Sequence, residues 1–264
     1  MIRLTFVLRR KPEMSLEEFQ KYWRENHGPL VAKHATNLNI LRYVQVHALD
    51  DPLNQGFIEP RGTMLTPYDG VTEMWWRNEE DLLTAFNSPE WQAAAKELVE
   101  DEKKFINLPK SPLWFAYEYP QVNPSPENIV ARENSSIIMN FYPLRHLSSL
   151  SFEEAQLYWR TTHGPKIRMI AQPGRILRYI QVHRYESEIE DTFRKARGTK
   201  EEPFTGHAEL WWDRSELMST FETPEGLKAF GFAFEDEQNF IDFAKSTMSI
   251  SKEYVFIDRI TESY

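Results

Sequence analysis

The chain contains two copies of the same sequence block, and this repeat constrains the fold more than any other feature. The pattern Tyr-Trp-Arg followed by His-Gly-Pro occurs in residues 15–29 and again in residues 151–165, so that His163 lies 136 residues after His27. Further blocks match in the same order, namely 40–47 with 176–183, 61–63 with 197–199, 73–76 with 209–212 and 101–106 with 236–241. The chain therefore consists of two copies of one structural unit.

Within each copy, the residue pattern predicts the order βαββαβ. Alternate residues from Ile2 to Leu8 are apolar, as in a strand, and Ser15 with Glu18 forms a capping box that begins a helix. Further strands are predicted at 42–47, 71–76 and 113–119, and further helices at 78–86 and 91–108. This is the ferredoxin-like α+β unit, whose antiparallel sheet carries helices on one face only. Two such units packed sheet to sheet would form an intramolecular barrel and enclose a cavity.

The two copies define the domain organisation. We predict a first repeat at 1–120, a linker rich in Pro, Asn and Ser at 121–135, and a second repeat at 136–264. The chain begins directly with a predicted strand rather than a signal peptide, and no apolar run approaches the length that crosses a membrane. We therefore expect a cytoplasmic protein without a membrane partner. Exposed apolar strand edges would favour association of these pseudo-dimers into a homo-oligomer.

The composition excludes several kinds of site. The chain has no cysteine, which excludes disulfides, thiolate nucleophiles and Cys-based zinc sites. Its net charge of −9, without a stripe of Lys and Arg, argues against a nucleic-acid partner. Its ten glycines form no dinucleotide-binding or phosphate-binding motif, so no cofactor is predicted. Catalysis would depend on His, Glu, Asp, Tyr, Arg or Lys side chains.

These motifs resemble those of the EthD-domain family in the dimeric α+β barrel superfamily. The resemblance rests on the Tyr-Trp-Arg…His-Gly-Pro block, the Arg-Tyr-Val-Gln-x-His strand, the Glu-x-Trp strand and the Asp-Glu-x-x-Phe-Ile helix, and it covers nearly the whole chain twice. It implies a cavity enclosed by facing sheets. It also implies either an accessory protein of ether or aromatic degradation, or a cofactor-free decarboxylase or dehydratase of polyketide-type aromatics.

The paired histidines His27 and His163 are candidate catalytic residues. Each precedes Gly-Pro, which commonly ends a helix, so one interpretation is a helix stop in which the imidazole meets the last carbonyls. A Gly-Pro stop does not need histidine, however, and the pKa of histidine suits proton transfer near neutrality. The resemblance to the family's recurrent histidine supports a functional role for at least one of them.

The paired carboxylates Glu73 and Glu209 are the second set of candidates. Each alternates with a tryptophan, such as Trp211, on one strand face, and His207 lies one step earlier on that face of the second copy. Aromatic neighbours desolvate a carboxylate and raise its pKa, as a general acid or base requires. The alternative is a structural ion pair with one of four arginines, Arg42, Arg61, Arg178 or Arg197.

Differences between the copies indicate which one carries the main site. The second copy has Asn140, Tyr142 and His207 where the first has the apolar Leu4, Phe6 and Val71. Buried polar groups cost free energy unless a ligand or an internal network satisfies them, so the C-terminal copy is favoured. The counterexample is His34, which lies opposite Ile170. The face of the second strand adds four candidate substrate contacts or cross-strand pairs, namely Tyr43, His47, Tyr179 and His183.

The long connections between the second and third strands are candidate lids. They span 48–68 and 184–204 and are either covers over a site or plain surface loops. Arg61 and Arg197 within them either hold an anionic substrate group or anchor the loop. A metal site built from His183, His207 and Glu209 is conceivable, but no tight ligand spacing occurs, so none is predicted.

These residues favour a cofactor-independent lyase or isomerase acting on a small aromatic or phenolic compound. In this hypothesis His163 or His207 is the base, and Glu209 is the partner acid or orients the histidine. Tyr142 and Asn140 polarise a substrate oxygen. Two alternatives remain: a non-catalytic protein that binds a hydrophobic intermediate or supports an oxygenase, and a cofactor-free monooxygenase.

Overall fold

The computed structural model describes residues 1–125 and 129–260 and contains a closed barrel of eight antiparallel strands. The strands are β1 (Ile2–Leu8), β2 (Arg42–Ala48), β3 (Gly70–Trp76), β4 (Leu113–Val122), β5 (Ile137–Leu144), β6 (Arg178–Arg184), β7 (Gly206–Asp213) and β8 (Ser249–Asp258). Their order around the barrel is β1-β3-β2-β8-β5-β7-β6-β4.

The barrel is closed by strands that pair across the two repeats. β8 of the second repeat pairs with β2 of the first, and β4 of the first pairs with β6 of the second. Each of the described strands therefore has two neighbours, and the described barrel leaves no strand edge for further association. The predicted architecture, two ferredoxin-like repeats in an intramolecular α+β barrel, is confirmed.

Helices cover the outer face of the barrel. They are α1 (Leu16–Tyr22), α2 (Gly28–Lys33), α3 (Leu53–Ile58), α4 (Glu79–Phe86), α5 (Pro89–Glu102), α6 (Phe152–Tyr158), α7 (Gly164–Ile170), α8 (Glu190–Arg197), α9 (Arg214–Thr220) and α10 (Pro224–Glu237). The predicted capping boxes begin α1 at Ser15 and α6 at Ser151. None of the helices in the described ranges has the length and apolarity that would let it cross a membrane.

The helix stop predicted at His-Gly-Pro is wrong. The chain passes from α1 through one π-helical turn, Trp23–His27, into α2 without leaving the helical conformation, and the second repeat does the same at Trp159–His163. Gly28 N–H donates to Trp23 O, five residues back. The wider π turn accommodates Pro29, which lacks an N–H and would clash with the preceding turn of a regular α-helix.

The predicted helix at 91–108 is six residues too long, because α5 ends at Glu102. The following residues turn toward the sheet: Phe105 is fully buried, and Asn107 N–H donates to Arg9 O at 2.8 Å. Burial of the Phe105 ring and pairing with the chain after β1 replace further helical hydrogen bonds.

Side chains fill the space between the two sheets. Inward-facing residues of β1 to β7 form an apolar cluster, which includes Trp75, Trp114, Phe141 and Trp211. Ile129 and Ala131, from the segment predicted as a linker, belong to the same cluster. The space between the facing sheets, where a cavity was expected, is therefore filled except for a pocket of about 10 Å³ beside Val71 and Phe141. Two larger pockets lie between each sheet and its own helices.

The long connections cross to the opposite repeat. α3 of the first repeat packs on the second, where the Phe57 ring lies 5.8 Å from the Trp212 ring. α8 of the second repeat packs on the first, where the Phe193 ring lies 5.3 Å from the Phe115 ring. Each pocket is thus covered by a helix from the other repeat.

Candidate functional site

The two pockets differ in their polar lining. The first-repeat pocket has a volume of about 140 Å³ and is bounded mainly by apolar residues of β1, β3, α4, α5 and α8. The second-repeat pocket has a volume of about 50 Å³ and contains Asn140, Tyr142 and His163 among aromatic and aliphatic walls. The polar substitutions that distinguish the second copy on β5 therefore face this pocket.

His163 is fixed in the second-repeat pocket by Asp236 of α10. Its Nδ1 lies 2.7 Å from Asp236 Oδ2, while Tyr158 OH and Lys166 Nζ donate to the other carboxylate oxygen. Burial acts to raise the pKa of Asp236, but these three partners outweigh it and hold that pKa well below its ordinary range. The aspartate therefore stays ionised and orients the ring, which leaves Nε2 as the nitrogen available to a ligand.

Tyr142 contacts an ion pair that joins Arg61 of the covering segment to Glu237 of α10. Arg61, which follows α3, donates from Nε and Nη2 to the two oxygens of Glu237 at 2.7 and 2.8 Å. Tyr142 OH donates to Glu237 Oε2 at 3.4 Å. Burial is the main cause that raises the pKa of Tyr142 well above its ordinary value, and the negative charge of Glu237 is the second. The phenol is therefore a neutral hydrogen-bond donor in this pocket.

Asn140 presents an unsatisfied amide to the same pocket. The residue is 3% exposed, and its Oδ1 has no hydrogen-bond partner within the described residues. A buried polar atom without a partner is costly, so the position suits a ligand that donates a hydrogen bond. Leu4 occupies the equivalent position in the first repeat.

Both repeats share a second set of contacts that anchors the π turn. Gln181 donates to Trp159 O at 2.8 Å, and the His183 ring stacks on Trp159 at 4.3 Å. Tyr179 OH accepts from Trp159 Nε1 at 3.1 Å. In the first repeat, Gln45 and His47 contact Trp23 in the same way. The glutamine and histidine contacts therefore recur and position the helices rather than distinguish one site, whereas Trp23 Nε1 has no hydrogen-bond partner among the described residues.

His27 and His34 lie outside the first-repeat pocket. His27 repeats the arrangement of His163, with Nδ1 at 2.8 Å from Asp101 Oδ2, but it does not line the pocket of its own repeat. His34 Nε2 lies 2.7 Å from Oε2 of the exposed Glu97 and lines neither pocket. The counterexample to the asymmetry is thus a buried histidine paired with a surface carboxylate.

The other predicted catalytic residues form a separate centre inside the barrel. The Arg3 guanidinium donates to both Glu73 and Glu209 and lies 2.9 Å from His207 Nε2. His207 Nε2 is also 3.0 Å from Glu209 Oε1. All four residues are buried. The ion-pair alternative named four other arginines; the partner is Arg3, while Arg42 and Arg178 lie over tryptophan rings.

The surroundings shift the pKa values of the two glutamates in this interior centre in opposite directions. Burial, opposed by Arg3, raises the pKa of Glu73 well above its ordinary value. Burial also acts to raise the pKa of Glu209, but Arg3 and His207 outweigh it and hold that pKa well below its ordinary value. Burial lowers the pKa of His207 to about 4. Arg3 therefore favours the ionised form of Glu209, while burial favours the protonated form of Glu73 and the neutral form of His207.

Strand alternation keeps the predicted residues from converging in one pocket. His207 and Glu209 on β7 point into the barrel, as does Trp211, whose Nε1 donates to Glu253 at 2.7 Å. Asn140 and Tyr142 on β5 point to the helices.

The three conceivable metal ligands also lie on different faces of the sheet, because His183 packs on Trp159 outside the barrel. Within residues 1–125 and 129–260, the groups close enough to share an ion are Glu73, His207 and Glu209, and an ion there would have to displace Arg3.

Several pocket residues were not recognised as site residues from the sequence. Asp236 and Glu237 belong to the repeated Asp-Glu-x-x-Phe-Ile block, which marks a repeat but names no partner. Phe57 reaches the second-repeat pocket from the other half of the chain. Arg197, predicted to contact substrate, lies in the first-repeat pocket and donates to Glu102 at 2.7 Å.

Comparison with known proteins gives one family and a shared fold. The model of the EthD domain family matches residues 11–109 and 147–244. No curated protein matches the chain. A solved structure of an anthrone oxidase-like protein is similar, with a TM-score of 0.56 and 11% identity over 98% of this chain and 94% of that chain. A dye-decolorizing peroxidase from Bacteroides thetaiotaomicron has a TM-score of 0.50 and 10% identity over 95% of this chain and 92% of that chain. At these identities the likeness establishes the fold.

Proposed function

The chain belongs to the EthD domain family, and from this premise and the second-repeat pocket we propose a cofactor-independent lyase or isomerase that acts on a small aromatic or phenolic compound. The supporting observation is the asymmetry of the pockets. The second pocket alone contains a histidine whose Nδ1 is fixed by a carboxylate, together with the unsatisfied amide of Asn140. The first pocket is apolar at the equivalent strand positions.

The proposed chemistry is proton removal and return by His163. Its Nε2 takes a proton from a carbon or hydroxyl of the substrate and gives it back at a second position or to a leaving group. Asp236 keeps Nδ1 protonated and stabilises the imidazolium that forms, as an aspartate does beside a catalytic histidine. Asn140 and Tyr142 hydrogen bond to the polar groups of the substrate.

The walls and the cover support a planar apolar substrate. Phe57, Trp159, Tyr179, Trp212 and Phe230 surround the pocket. Its volume of about 50 Å³ holds about three to five water molecules, which is less than a substituted ring requires. Substrate entry therefore requires the α3 cover to move away from α10, which breaks the Arg61–Glu237 pair.

Hydrogen–deuterium exchange on phenolic probes that stand in for the substrate tests this proposal. A panel of hydroxybenzoates is incubated with the protein in D₂O, and loss of carbon-bound protons and appearance of products are followed by NMR. We expect His163→Gln to slow exchange about 100-fold or more. His27→Gln is the matched control, since it breaks the same histidine–aspartate contact outside the pocket.

Equal rates in the wild-type protein and the two variants would contradict the proposal. Binding of the probes without exchange or product would favour the accessory-protein alternative, which the mainly apolar lining of both pockets supports. Oxygen uptake that depends on the probe would favour a cofactor-free monooxygenase, since lyase and isomerase reactions consume no oxygen.

A further inference from the structure

The first-repeat pocket contains two buried polar atoms without partners. Glu102, at the end of α5, is 3% exposed, and its Oε2 has no hydrogen-bond partner in the described part of the chain. The same is true of Nε of Arg197, which reaches the pocket from α8 of the other repeat. Both residues line the pocket, whose remaining walls are mainly apolar.

The equivalent pair in the second repeat shows which hydrogen bonds the first-repeat pair lacks. There the equivalent pair, Glu237 and Arg61, makes two hydrogen bonds, and Tyr142 OH donates to Glu237 Oε2. In the first repeat the pair makes one hydrogen bond, from Arg197 Nη2 to Glu102 Oε1 at 2.7 Å. Phe6 occupies the position of Tyr142, and the Arg197 guanidinium lies 5.1 Å from the centre of its ring. The first repeat therefore lacks one hydroxyl group.

A ligand hydroxyl satisfies both atoms at once. Its O–H donates to Glu102 Oε2, and its oxygen accepts from Arg197 Nε–H, as hydroxyl groups can do. A neutral ligand is required, because Arg197 and Glu102 already balance each other and a further buried charge would be unpaired. The rings of Trp76, Phe86, Trp91 and Phe193 line the same space.

We propose that the first-repeat pocket is a second binding site, specific for a neutral aromatic ring that carries a hydroxyl group, such as a phenol. The site binds without conversion, because His27 does not line it and Leu4 replaces the polar Asn140. With a volume of about 140 Å³ it is larger than the second-repeat pocket at about 50 Å³. A single ring enters it with less displacement of its cover.

Calorimetric titration of the whole protein with phenol and with benzene tests the site. The two probes share the ring and differ in the hydroxyl group, so we expect phenol to bind about tenfold or more tightly than benzene. Phe6→Tyr supplies the hydroxyl from the protein, as Tyr142 does in the other repeat, and should reduce the preference for phenol to about twofold or less. Phe232→Tyr is the control, since it adds a hydroxyl at an exposed residue that lines neither pocket, and it should leave the preference unchanged.

Equal affinity for phenol and benzene in the wild-type protein would overturn the proposal and would mean that water satisfies Glu102 and Arg197. A preference for phenol that survives in Phe6→Tyr would also overturn it. If Phe6→Tyr does not fold, Glu102→Gln takes its place, since the neutral amide weakens the acceptor and should lower the preference. Phenol bound in the second-repeat pocket would keep its affinity in Phe6→Tyr, so the loss of preference in this variant reports on the first-repeat pocket alone.

Discussion

At the scale of single residues, the most consequential side chain outside the pockets is Arg3. Its guanidinium contacts Glu73, Glu118, Glu209 and His207, and it is 1% exposed. A buried ion pair adds little net stability, but removing one partner leaves a charge without compensation. The interior centre therefore depends on one arginine that has no counterpart in the second repeat, where Met139 occupies the equivalent position.

Replacing Arg3 with methionine should destabilise the protein strongly. Loss of the guanidinium leaves Glu209 without its counter-charge in an apolar interior, and we expect the free energy of unfolding to fall by about 3–5 kcal/mol. Urea denaturation measures the change. Met139→Leu, a substitution of similar volume on the equivalent strand position, should cost less than about 1.5 kcal/mol. A loss for Arg3→Met no larger than for this control would show that the interior centre is hydrated or rearranged.

The buried histidines of the second strands should make stability depend on pH. Burial is the main cause that lowers the pKa of His183 to about 3, from 6.5. Because the unfolded chain binds the proton more tightly, the stability due to the neutral ring is present above pH 6.5 and is lost as the pH falls toward 3. His183→Gln should therefore reduce the slope of unfolding free energy against pH in this range, by an amount that corresponds to at most about one proton taken up on unfolding.

Denaturation curves at several pH values, compared between wild type and variant, measure this difference. The comparison cancels the contribution of groups with the opposite sign, such as Glu73. His47→Gln, at the equivalent position, should behave alike, because burial also lowers the pKa of His47 to about 3. Parallel curves for wild type and both variants would mean that these rings have the same pKa in the folded and the unfolded states.

The sequence predicts some residues of the site and not others for a physical reason. Comparing the copies identified Asn140 and Tyr142, because a polar residue that replaces an apolar one is visible without a structure. Arg3 was not identified, since its contact with Glu209 joins residues 206 positions apart. Strand alternation predicts that His207 and Tyr142 lie on opposite faces of the sheet. It does not predict which face borders a pocket, because that depends on how the large side chains of both sheets pack inside the barrel.

At the scale of elements, the π turn brings the first helix of each repeat close to the sheet. A Cβ atom added at Gly28 would lie 2.3 Å from the Phe256 ring, and one added at Gly164 would lie 2.6 Å from Gln121 Oε1. The approach holds the histidine of each turn against the aspartate of α5 or α10. A local pattern predicts that Gly-Pro ends a helix, and only the packing of this turn on the barrel favours its continuation.

Gly28→Ala should destabilise the protein by about 1–3 kcal/mol, because the added methyl overlaps the Phe256 ring and lies 2.9 Å from Nε2 of the fully buried Gln45. Gly231→Ala is the control, since no described residue outside its own stretch of α10 comes within 4 Å of a Cβ at that position. It should be neutral or stabilise by about 0.5–1 kcal/mol, as alanine favours a helix. Thermal and urea unfolding report both, and equal effects would mean that α2 shifts away from β8 without cost.

At the scale of the whole molecule, the crossed covers make each pocket a product of both repeats. Phe57 and Arg61 belong to the first repeat but complete the second-repeat pocket, and Phe193 and Arg197 do the reverse. The repeat was visible in the sequence and the barrel follows from it. The crossing of the covers could not be predicted, because no pattern in residues 48–68 indicates which of the two sheets they pack on.

A substitution in the cover of the first repeat should therefore change the chemistry of the second. Phe57→Ala removes a wall of the pocket, and we expect the proposed exchange reaction to slow about tenfold or more as substrate positioning is lost. Phe193→Ala, at the equivalent place in the other cover, should leave the rate unchanged while removing a similar amount of buried aromatic surface. Equal slowing by both variants would show that the effect comes from general loss of stability.

The crossed covers also have a genetic consequence. A gene cut between the two repeats would encode two polypeptides, each with an uncovered pocket and unpaired strands at β2 and β4 or at β6 and β8. Neither product would assemble a complete pocket by itself, whereas both produced in one cell would restore the pair. Complementation between two half-genes, and its absence for either half alone, is therefore expected of this chain.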